Sequence, residues 1–341
     1  MGGANNLIAC KSSGSSGIQT TTFQSKSEQS INRAIQLLWW EWAGYYPGKP
    51  LIQTGINPKR GVIKKLKDIL FRTTYVAAFA HEETEVVEIL NKVRGKKNVH
   101  FGGYASSLNV FAEVARKHSI IDVQFDAAIS WGDKLFDHYK RNIKDVFNCK
   151  IYETYGCSEG ILVASKKDLD YYYIMSPHVF VEIVDDNGKE VKDGEWGHIL
   201  LTRLDNYSMP LIRYKIGDLG SLLPRTEYPE KRDYNFPLLK EIIGRSTDVV
   251  KTPSGKKMVV HAFTGIFEHI AEIQQFKITQ RDLAGIEIEY IAGVNFNPSI
   301  LKKIEEVILN HLNEDFLIHW KSVKEISPSP SGKPKLVECL I

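Results

Sequence analysis

The sequence predicts an α/β protein, with a large N-terminal domain of mixed and parallel sheets and helices and a small C-terminal α/β domain. Strand-like segments such as NVHFGGY and FDAAISWG alternate with helix-like segments such as SLNVFAEVARKH. Such alternation is typical of βαβ units around a parallel sheet. A second set of strand and helix patterns fills the C-terminal part, and we place the domains at residues 1–243 and 244–341.

Two helices are predicted early in the chain. SINRAIQLLWWEWAGYY has apolar residues at helical spacing, and we interpret Trp39, Trp40 and Trp42 as core and flanking residues, with an apolar ligand pocket as the alternative. GVIKKLKDILF repeats the pattern with three lysines between its apolar residues. A solvated helix face is the favoured interpretation, and contact with a membrane surface or a phosphorylated ligand is the alternative.

The middle of the chain predicts a change from parallel to antiparallel pairing. DKLFDHYKRNIKDVF predicts a helix and KIYETYG a strand. HVFVEIVDDNGKEV then alternates apolar residues up to an Asp-Asn-Gly turn, which is typical of a hairpin. GEWGHILLTRL continues the antiparallel run.

The C-terminal part has the patterns of a small α/β unit. KKMVV, GIEIEYIA and DFLIHWKSV predict strands. PSILKKIEEVILNHL predicts a helix, with Asn297 as its N-cap candidate and Pro298 in its first turn.

Composition excludes several classes of function. The 44 basic and 41 acidic residues give a net charge of only +3, so no general electrostatic case exists for nucleic-acid binding. The four cysteines show no CxxC spacing, which favours a reducing cytoplasm. The N-terminus has no secretory-signal pattern and no apolar run reaches membrane-spanning length. We therefore expect a cytoplasmic protein without a membrane span.

The usual nucleotide motifs GxxxxGK[ST] and GxGxxG are missing from the sequence. The stretch KSSGSSG at residues 11–17 has two interpretations. A run of Ser and Gly is typical of a flexible linker or tag. Small residues also let successive backbone N–H groups converge on a phosphate.

Two further stretches place polar groups beside glycines. In IYETYGCSEG, Tyr155 is suited to stack on a flat base and Glu159 is a hard oxygen ligand suited to Mg²⁺. A plain strand-end turn is the alternative. In NYSMPLIRYKIGDLG, Asp218 lies where a carboxylate can accept hydrogen bonds from a ribose diol, and a simple Gly-Asp turn is the alternative.

The last two stretches carry cations. Gly244 and Arg245 lie at the predicted domain boundary, where an arginine can reach a phosphate or ribose or can remain solvated. SPSPSGKPK places Lys333 in a Gly/Pro loop that can bring a positive charge to a reacting phosphate. A basic tail is the alternative for this segment.

The order of these five stretches resembles the AMP-forming acyl-adenylate synthetases. Within that superfamily the chain resembles the phenylacetate–CoA ligase family, particularly members associated with capsular polysaccharide synthesis. MPLIRYKIGDLG carries the closest similarity, and GYASSLNVFAEVARKH resembles the segment that lines the acid pocket. The resemblance runs from about residue 11 to residue 335.

The resemblance implies a role for each site residue. It implies that the β- and γ-phosphates of ATP are held by the loop residues Ser12, Ser13, Gly14, Ser15, Ser16 and Gly17. It implies that the remaining nucleotide contacts come from Gly132, Asp133, Tyr155, Gly156, Asp218 and Arg245. Tyr104 and Ser106 would line the acid pocket, Glu159 would bind Mg²⁺, and Lys333 would reach the α-phosphate as the catalytic residue.

The implied activity is ATP-dependent conversion of a carboxylic acid to an acyl-adenylate, with release of pyrophosphate, followed by transfer to coenzyme A. One alternative is transfer to an amine or hydroxyl acceptor in polysaccharide synthesis, and another is a shortened, non-catalytic nucleotide-binding relative. The small domain is expected to be mobile on a hinge. Only ten residues precede Lys11, where family members carry a longer segment, so we expect a homodimer or a partner that supplies that segment. Thr247 and Ile216 depart from the family pattern at the hinge and beside Asp218.

Overall fold

The structure is a computed structural model of the chain. It describes residues 7–11, 20–55, 61–78, 82–245, 248–267, 270, 272–293, 295–312, 314–327 and 336–341.

The strands of the described residues are numbered in chain order. They are β1 (Ile8–Lys11), β2 (Thr21–Gln24), β3 (Leu51–Gly55), β4 (Thr73–Ala77), β5 (His100–Tyr104), β6 (Ala127–Trp131), β7 (Lys150–Cys157), β8 (Ile161–Ser165), β9 (Tyr172–Ile174), β10 (Val179–Val184), β11 (Trp196–Arg203), β12 (Tyr214–Leu222), β13 (Leu238–Arg245), β14 (Val249–Lys251), β15 (Lys257–Val259), β16 (Ile273–Gln280), β17 (Gly285–Ala292), β18 (Leu317–Ser322) and β19 (Val337–Cys339).

The helices of the described residues follow the same numbering. They are α1 (Lys26–Trp42), α2 (Val62–Leu70), α3 (Glu83–Val93), α4 (Ala105–Lys117), α5 (Asp137–Phe147), α6 (Val260–Phe267) and α7 (Ser299–Leu312). No helix within these ranges is long and apolar enough to cross a lipid bilayer.

One large sheet organises the first part of the chain. Its eleven strands lie in the order β10-β11-β12-β13-β9-β8-β7-β6-β5-β3-β4. Neighbours from β4 to β7 pair in parallel, and those from β7 to β10 pair antiparallel. The predicted α/β class with mixed and parallel pairing is confirmed, and β7 is the strand at which the pairing changes.

Helix α1 joins the β1–β2 hairpin to the sheet. A capping box begins it: the N–H of Glu28 donates to Ser25 Oγ at 3.3 Å, and the N–H of Ser25 donates to Glu28 Oε2 at 2.5 Å. Trp39, Trp40 and Trp42 are all buried in the core, as expected from their helical spacing.

Helix α2 forms where the sequence predicts it, but its apolar side chains do not enter the core. Val62, Ile63, Leu66, Ile69 and Leu70 are all exposed. Periodicity therefore identifies the helix correctly without showing what covers its apolar face.

Helix α5 begins later than its sequence pattern predicts, at Asp137 instead of near Asp133. The carboxylate of Asp133 accepts hydrogen bonds from the N–H groups of Ala105 and Ser106, at 2.5 and 3.1 Å. These two residues begin α4, so Asp133 caps the start of a neighbouring helix.

The C-terminal residues form a separate four-stranded sheet in the order β18-β17-β16-β19, together with α6, α7 and the β14–β15 hairpin. Their apolar side chains pack into a cluster drawn only from residues 250–337. The small C-terminal α/β unit is as expected. Along the chain, β13 is the last strand of the large sheet, and it ends at Arg245. Residues 246–247 lie outside the described ranges. The domain boundary at 243/244 and the mobility of the C-terminal unit therefore stay predictions.

Candidate functional site

The carboxyl ends of three adjacent parallel strands carry predicted site residues. Tyr104 ends β5, Gly132 follows β6, and Tyr155 lies near the end of β7. Register pairs Tyr104 with Trp131 and Ser130 with Glu153, so all three residues lie at one edge of the sheet. Ligands in open α/β sheets bind at this edge.

Gly132 lies directly against the ring of Tyr104. Its φ of +81° is in the left-handed region, and a Cβ at this position would collide with the Tyr104 ring. Glycine therefore lets the chain turn at the end of β6 while the tyrosine stays in place. Burial, followed by the negative charge of Asp133, raises the pKa of Tyr104 to about 12, so its phenol stays protonated.

Asp133 connects the predicted adenine side of the site to the predicted acid pocket. Besides the two N–H groups at the start of α4, it accepts a hydrogen bond of 2.5 Å from the hydroxyl of Ser106. The two residues were predicted for different ligands, yet their side chains are bonded to each other. A change at Asp133 will therefore also disturb Ser106.

Three residues from separate sequence stretches meet at Asp218. The phenol of Tyr155 donates to Asp218 Oδ2 at 2.8 Å, and Arg245 Nε lies 3.1 Å from Asp218 Oδ1. Asp218 also pairs directly with Arg245 across β12 and β13. Burial, followed by the charge of Asp218, raises the pKa of Tyr155 well above its usual range, so the phenol remains a donor.

Arg245 is held at the predicted hinge but remains open to solvent. Its Nη1 donates to the carbonyl of Ile216 at 2.7 Å. The side chain of Arg245 is 43% exposed, whereas that of Asp218 is 15% exposed. The arrangement leaves a fixed guanidinium face beside a half-buried carboxylate, which suits an anionic or hydroxylated ligand.

Glu159 occupies the turn between β7 and β8. Its Oε1 accepts a hydrogen bond of 3.0 Å from the phenol of Tyr214. The thiol of Cys157 is also hydrogen bonded to Glu159, and burial, followed by this carboxylate, raises the pKa of Cys157 well above its usual range. Gly156 precedes the turn at a bulge, where a Cβ would lie 2.8 Å from the carbonyl oxygen of Ile161.

Two predicted parts of the site, residues 12–17 and Lys333, lie outside the described residues. The strands on either side of the first part are described. Lys11 of β1 pairs with Thr21 of β2, so the ends of the predicted phosphate loop are held together by a hairpin.

Comparison with known proteins gives sequence and structural relatives. No family model matches the chain. A phenylacetate–coenzyme A ligase of Pseudomonas putida is 28% identical over 134 residues, which is 38% of this chain and 29% of that protein. A phenylacetate–coenzyme A ligase of Escherichia coli is 29% identical over 147 residues, 40% of this chain and 32% of that protein.

The fold comparison extends over the whole chain. The crystal structure of 2-hydroxyisobutyryl-CoA ligase in the postadenylation state, in complex with an adenylate, matches with a TM-score of 0.73 at 15% identity. The match covers 100% of this chain and 74% of that one. Over part of its sequence the chain is similar to phenylacetate–coenzyme A ligases, and its fold is that of this acyl-CoA ligase. Its aligned part spans about a third of the length of the curated relatives.

The chemistry of Glu159 fits one kind of metal site. No group of three His, Cys, Asp or Glu side chains that could hold a metal occurs within the described ranges. Mg²⁺ commonly binds through one or two carboxylates and takes its other ligands from water and substrate phosphates. Within the described ranges, the single carboxylate of Glu159 fits that pattern and does not fit an all-protein metal cage.

Sequence reasoning missed Lys134, which follows Asp133. Its ammonium donates to the carbonyls of Ile242 and Ile243 at 2.7 and 3.3 Å, just before the Gly244–Arg245 pair. Burial lowers the pKa of Lys134 to about 8. A lysine directly after a strand-end Gly-Asp pair was the signal available.

A second missed group is built around Arg203. This buried arginine bonds Asp205, the carbonyl of Glu28 and the side chain of Gln24. The available signal was an arginine at the end of the apolar strand sequence HILLTR.

Proposed function

We propose that this protein activates a carboxylic acid with ATP to an acyl-adenylate, releases pyrophosphate, and then transfers the acyl group to coenzyme A. The relatedness to phenylacetate–coenzyme A ligases supports this reaction class. The observation that carries the proposal is the meeting of Tyr155 and Arg245 on Asp218. Three motifs that lie far apart in the sequence contribute to one small site.

The nucleotide is assigned to this meeting point. Carboxylate oxygens accept more than one hydrogen bond each, so Asp218 can receive ribose hydroxyls beside Tyr155 and Arg245. The Tyr155 ring and the open turn at Gly132 would flank the adenine. Arg245 offers its exposed guanidinium to ribose or phosphate.

Phosphates and metal are assigned to the neighbouring turn and loop. Backbone N–H groups of residues 12–17 would bind the β- and γ-phosphates. Glu159 would hold Mg²⁺, which supplies charge neutralisation for the phosphates when bound. Lys333 would place its ammonium near the α-phosphate, where negative charge increases during attack.

The first half-reaction forms the mixed anhydride. A carboxylate oxygen of the acid attacks the α-phosphorus, and the bond from that phosphorus to the bridging oxygen of pyrophosphate breaks. In the second half-reaction, the sulfur of coenzyme A attacks the acyl carbon and loses its proton, and AMP leaves with the anhydride oxygen. Tyr104 and Ser106 are proposed to face the acid. Hinge motion near Gly244 would remove Lys333 between the two steps.

Acid-dependent ATP–pyrophosphate exchange tests the proposal. Labelled pyrophosphate should enter ATP in the presence of one member of a panel of aryl, short aliphatic and amino acids. Addition of coenzyme A should then give a thioester with that same acid. Exchange without thioester formation would support the adenylation step and exclude coenzyme A as the acyl acceptor. Absence of both exchange and ATP binding across the panel would overturn the proposal.

A further inference from the structure

Several side chains converge on Gly160, the residue after Glu159. Gly160 has a φ of +86°, and a Cβ on it would lie 3.2 Å from Gln24 Oε1, 3.4 Å from Asn32 Nδ2 and 3.5 Å from Arg203 Nη1. We call Thr22, Gln24, Asn32 and Arg203 the Gly160 cradle. They come from β2, α1 and β11, which are distant from the turn in sequence.

Two residues of the cradle donate hydrogen bonds to backbone carbonyls of the turn that carries Glu159. Asn32 Nδ2 donates to the Gly160 carbonyl at 2.8 Å, and Thr22 Oγ1 donates to the Glu159 carbonyl at 3.1 Å. Thr22 is 1% exposed, so water does not compete for this bond. The backbone of Glu159 and of the residue after it is therefore fixed from outside its own hairpin.

A second layer of bonds fixes the cradle itself. Asn32 Nδ2 and Arg203 Nη1 both donate to Gln24 Oε1, at 3.0 and 3.1 Å. Asp205 accepts from Arg203 Nε at 2.7 Å and balances its buried charge. Gln24 Nε2 contacts the sulfur of Cys10 at 3.2 Å. Cys10 and Gln24 lie in β1 and β2, the strands that hold the ends of the segment 12–20.

The geometry points to Asn32 and Thr22 as positioning residues that fix the turn carrying Glu159. This inference rests on the proposed function, because that function assigns Mg²⁺ to Glu159. Residues that hold a metal ligand in place increase metal affinity, since the ligand is already oriented when the metal binds. Asn32 and Thr22 do this through hydrogen bonds to the carbonyls of Gly160 and Glu159, from a helix and a strand outside the β7–β8 hairpin.

The test compares Asn32→Ala with a matched control, Asn142→Ala. Each asparagine lies on a helix, is half-buried, and donates a hydrogen bond of 2.8 Å through Nδ2, to Gly160 in one case and to Asn109 in the other. Asn32 Nδ2 also donates to Gln24 Oε1 at 3.0 Å. Each also has a buried Oδ1 without a hydrogen-bond partner in the described structure. Both substitutions therefore remove a half-buried amide with a 2.8 Å hydrogen bond, and only Asn32→Ala removes a bond to the Glu159 turn and a bond within the cradle.

Binding of ATP with Mg²⁺, ATP with a chelator, and AMP is measured by calorimetric titration, together with melting curves. Loss of a residue that orients a metal ligand typically weakens metal affinity by about 10–100-fold. We expect Asn32→Ala to reduce Mg²⁺-dependent ATP binding within that range and to leave AMP binding unchanged. Asn142→Ala should lower the melting temperature and leave the binding of ATP and AMP unchanged. Thr22→Val, which keeps the shape of the side chain, should behave as Asn32→Ala does and serves if the alanine variant does not fold.

The outcomes separate this inference from the proposed function. A parent protein that binds neither ATP nor AMP overturns both. A parent that binds them, with Asn32→Ala and Thr22→Val losing ATP and AMP equally, overturns the positioning role alone. Unchanged Mg²⁺-dependent binding in both variants, with melting lowered as in Asn142→Ala, reduces the cradle to a structural element and also overturns the inference.

Discussion

Tyr155 and Asp218 share a hydrogen bond of 2.8 Å although β7 and β12 are four strand positions apart in the sheet. In a flat sheet, four strand spacings correspond to about 19 Å. The two side chains together cannot span that distance, so the antiparallel half of the sheet must curl until β12 faces the end of β7. Register shifts at bulges in the β11–β12, β12–β13 and β7–β8 pairs provide local bending. The candidate site depends on this curvature.

Asp218→Ala should weaken ATP binding more than it weakens the fold. Removing a hydrogen bond to a charged group costs roughly 1.5–3 kcal/mol, so the Kd for ATP should rise correspondingly. A titration beside a melting curve measures both effects. Tyr155→Phe is the companion variant, because it removes the donor to Asp218 and keeps the ring. If Asp218→Ala lowers Tm and leaves ATP affinity unaltered, Asp218 is a turn residue and not a ribose ligand.

Element types and order were predictable from the sequence because they depend on local periodicity. The curl of the sheet was not, since it brings together residues whose separation is set by strands between them. The cap that Asp133 provides to α4 was likewise hidden, because a Gly-Asp pair before a helical pattern resembles the start of its own helix. The motif residues at strand ends were predictable, but their bonds to one another required the sheet order.

The Ser/Gly loop gives a test that does not depend on the described strands. Gly14→Val and Gly17→Val should weaken ATP binding, because a branched side chain would obstruct the backbone N–H groups that are proposed to bind the phosphates. AMP, which lacks the β- and γ-phosphates, should bind both variants as it binds the parent. Melting temperatures should change little. Parent-like ATP affinity in both variants would identify residues 11–17 as a linker.

Glu28 should make stability depend on acid pH. Burial raises the pKa of its carboxyl, but hydrogen bonds from Ser25 and Ser208 outweigh burial and bring the pKa down to about 2. A folded-state pKa below the unfolded value stabilises the protein at every pH above the unfolded pKa. That contribution is lost as the pH falls from about 4.5 to about 2.

At neutral pH, ionised Glu28 should contribute about 3 kcal/mol to the free energy of unfolding, because its pKa differs by roughly 2.5 units between the folded and unfolded states. Glu28→Gln should therefore be less stable than the parent at pH 7, and the gap should close towards pH 2. Denaturant unfolding across this range measures it. Glu83→Gln is the control, because Glu83 is an exposed partner of Lys117 and His118, and exposed pairs contribute little. A gap for Glu28→Gln that does not vary with pH would contradict the assignment.

Replacement of Lys333 should affect the two proposed half-reactions differently. Negative charge builds up at the α-phosphate while the carboxylate attacks, and a lysine is needed there and not at the later attack on the acyl carbon. Removal of one preorganised donor of this kind typically costs about 10²–10³ in rate. Lys333→Ala should slow acid-dependent pyrophosphate exchange by at least that factor while ATP still binds.

With a chemically prepared acyl-adenylate, Lys333→Ala should transfer the acyl group to coenzyme A at nearly the parent rate, because the proposed hinge motion would by then have moved the lysine away from the site. Lys335→Ala, two positions along the same segment, is the charge-matched control and should leave exchange unchanged. Single-turnover measurements of each half-reaction give the two rates separately. Equal losses in both halves would assign Lys333 to substrate binding throughout the cycle, and an unchanged first half would remove it from the mechanism.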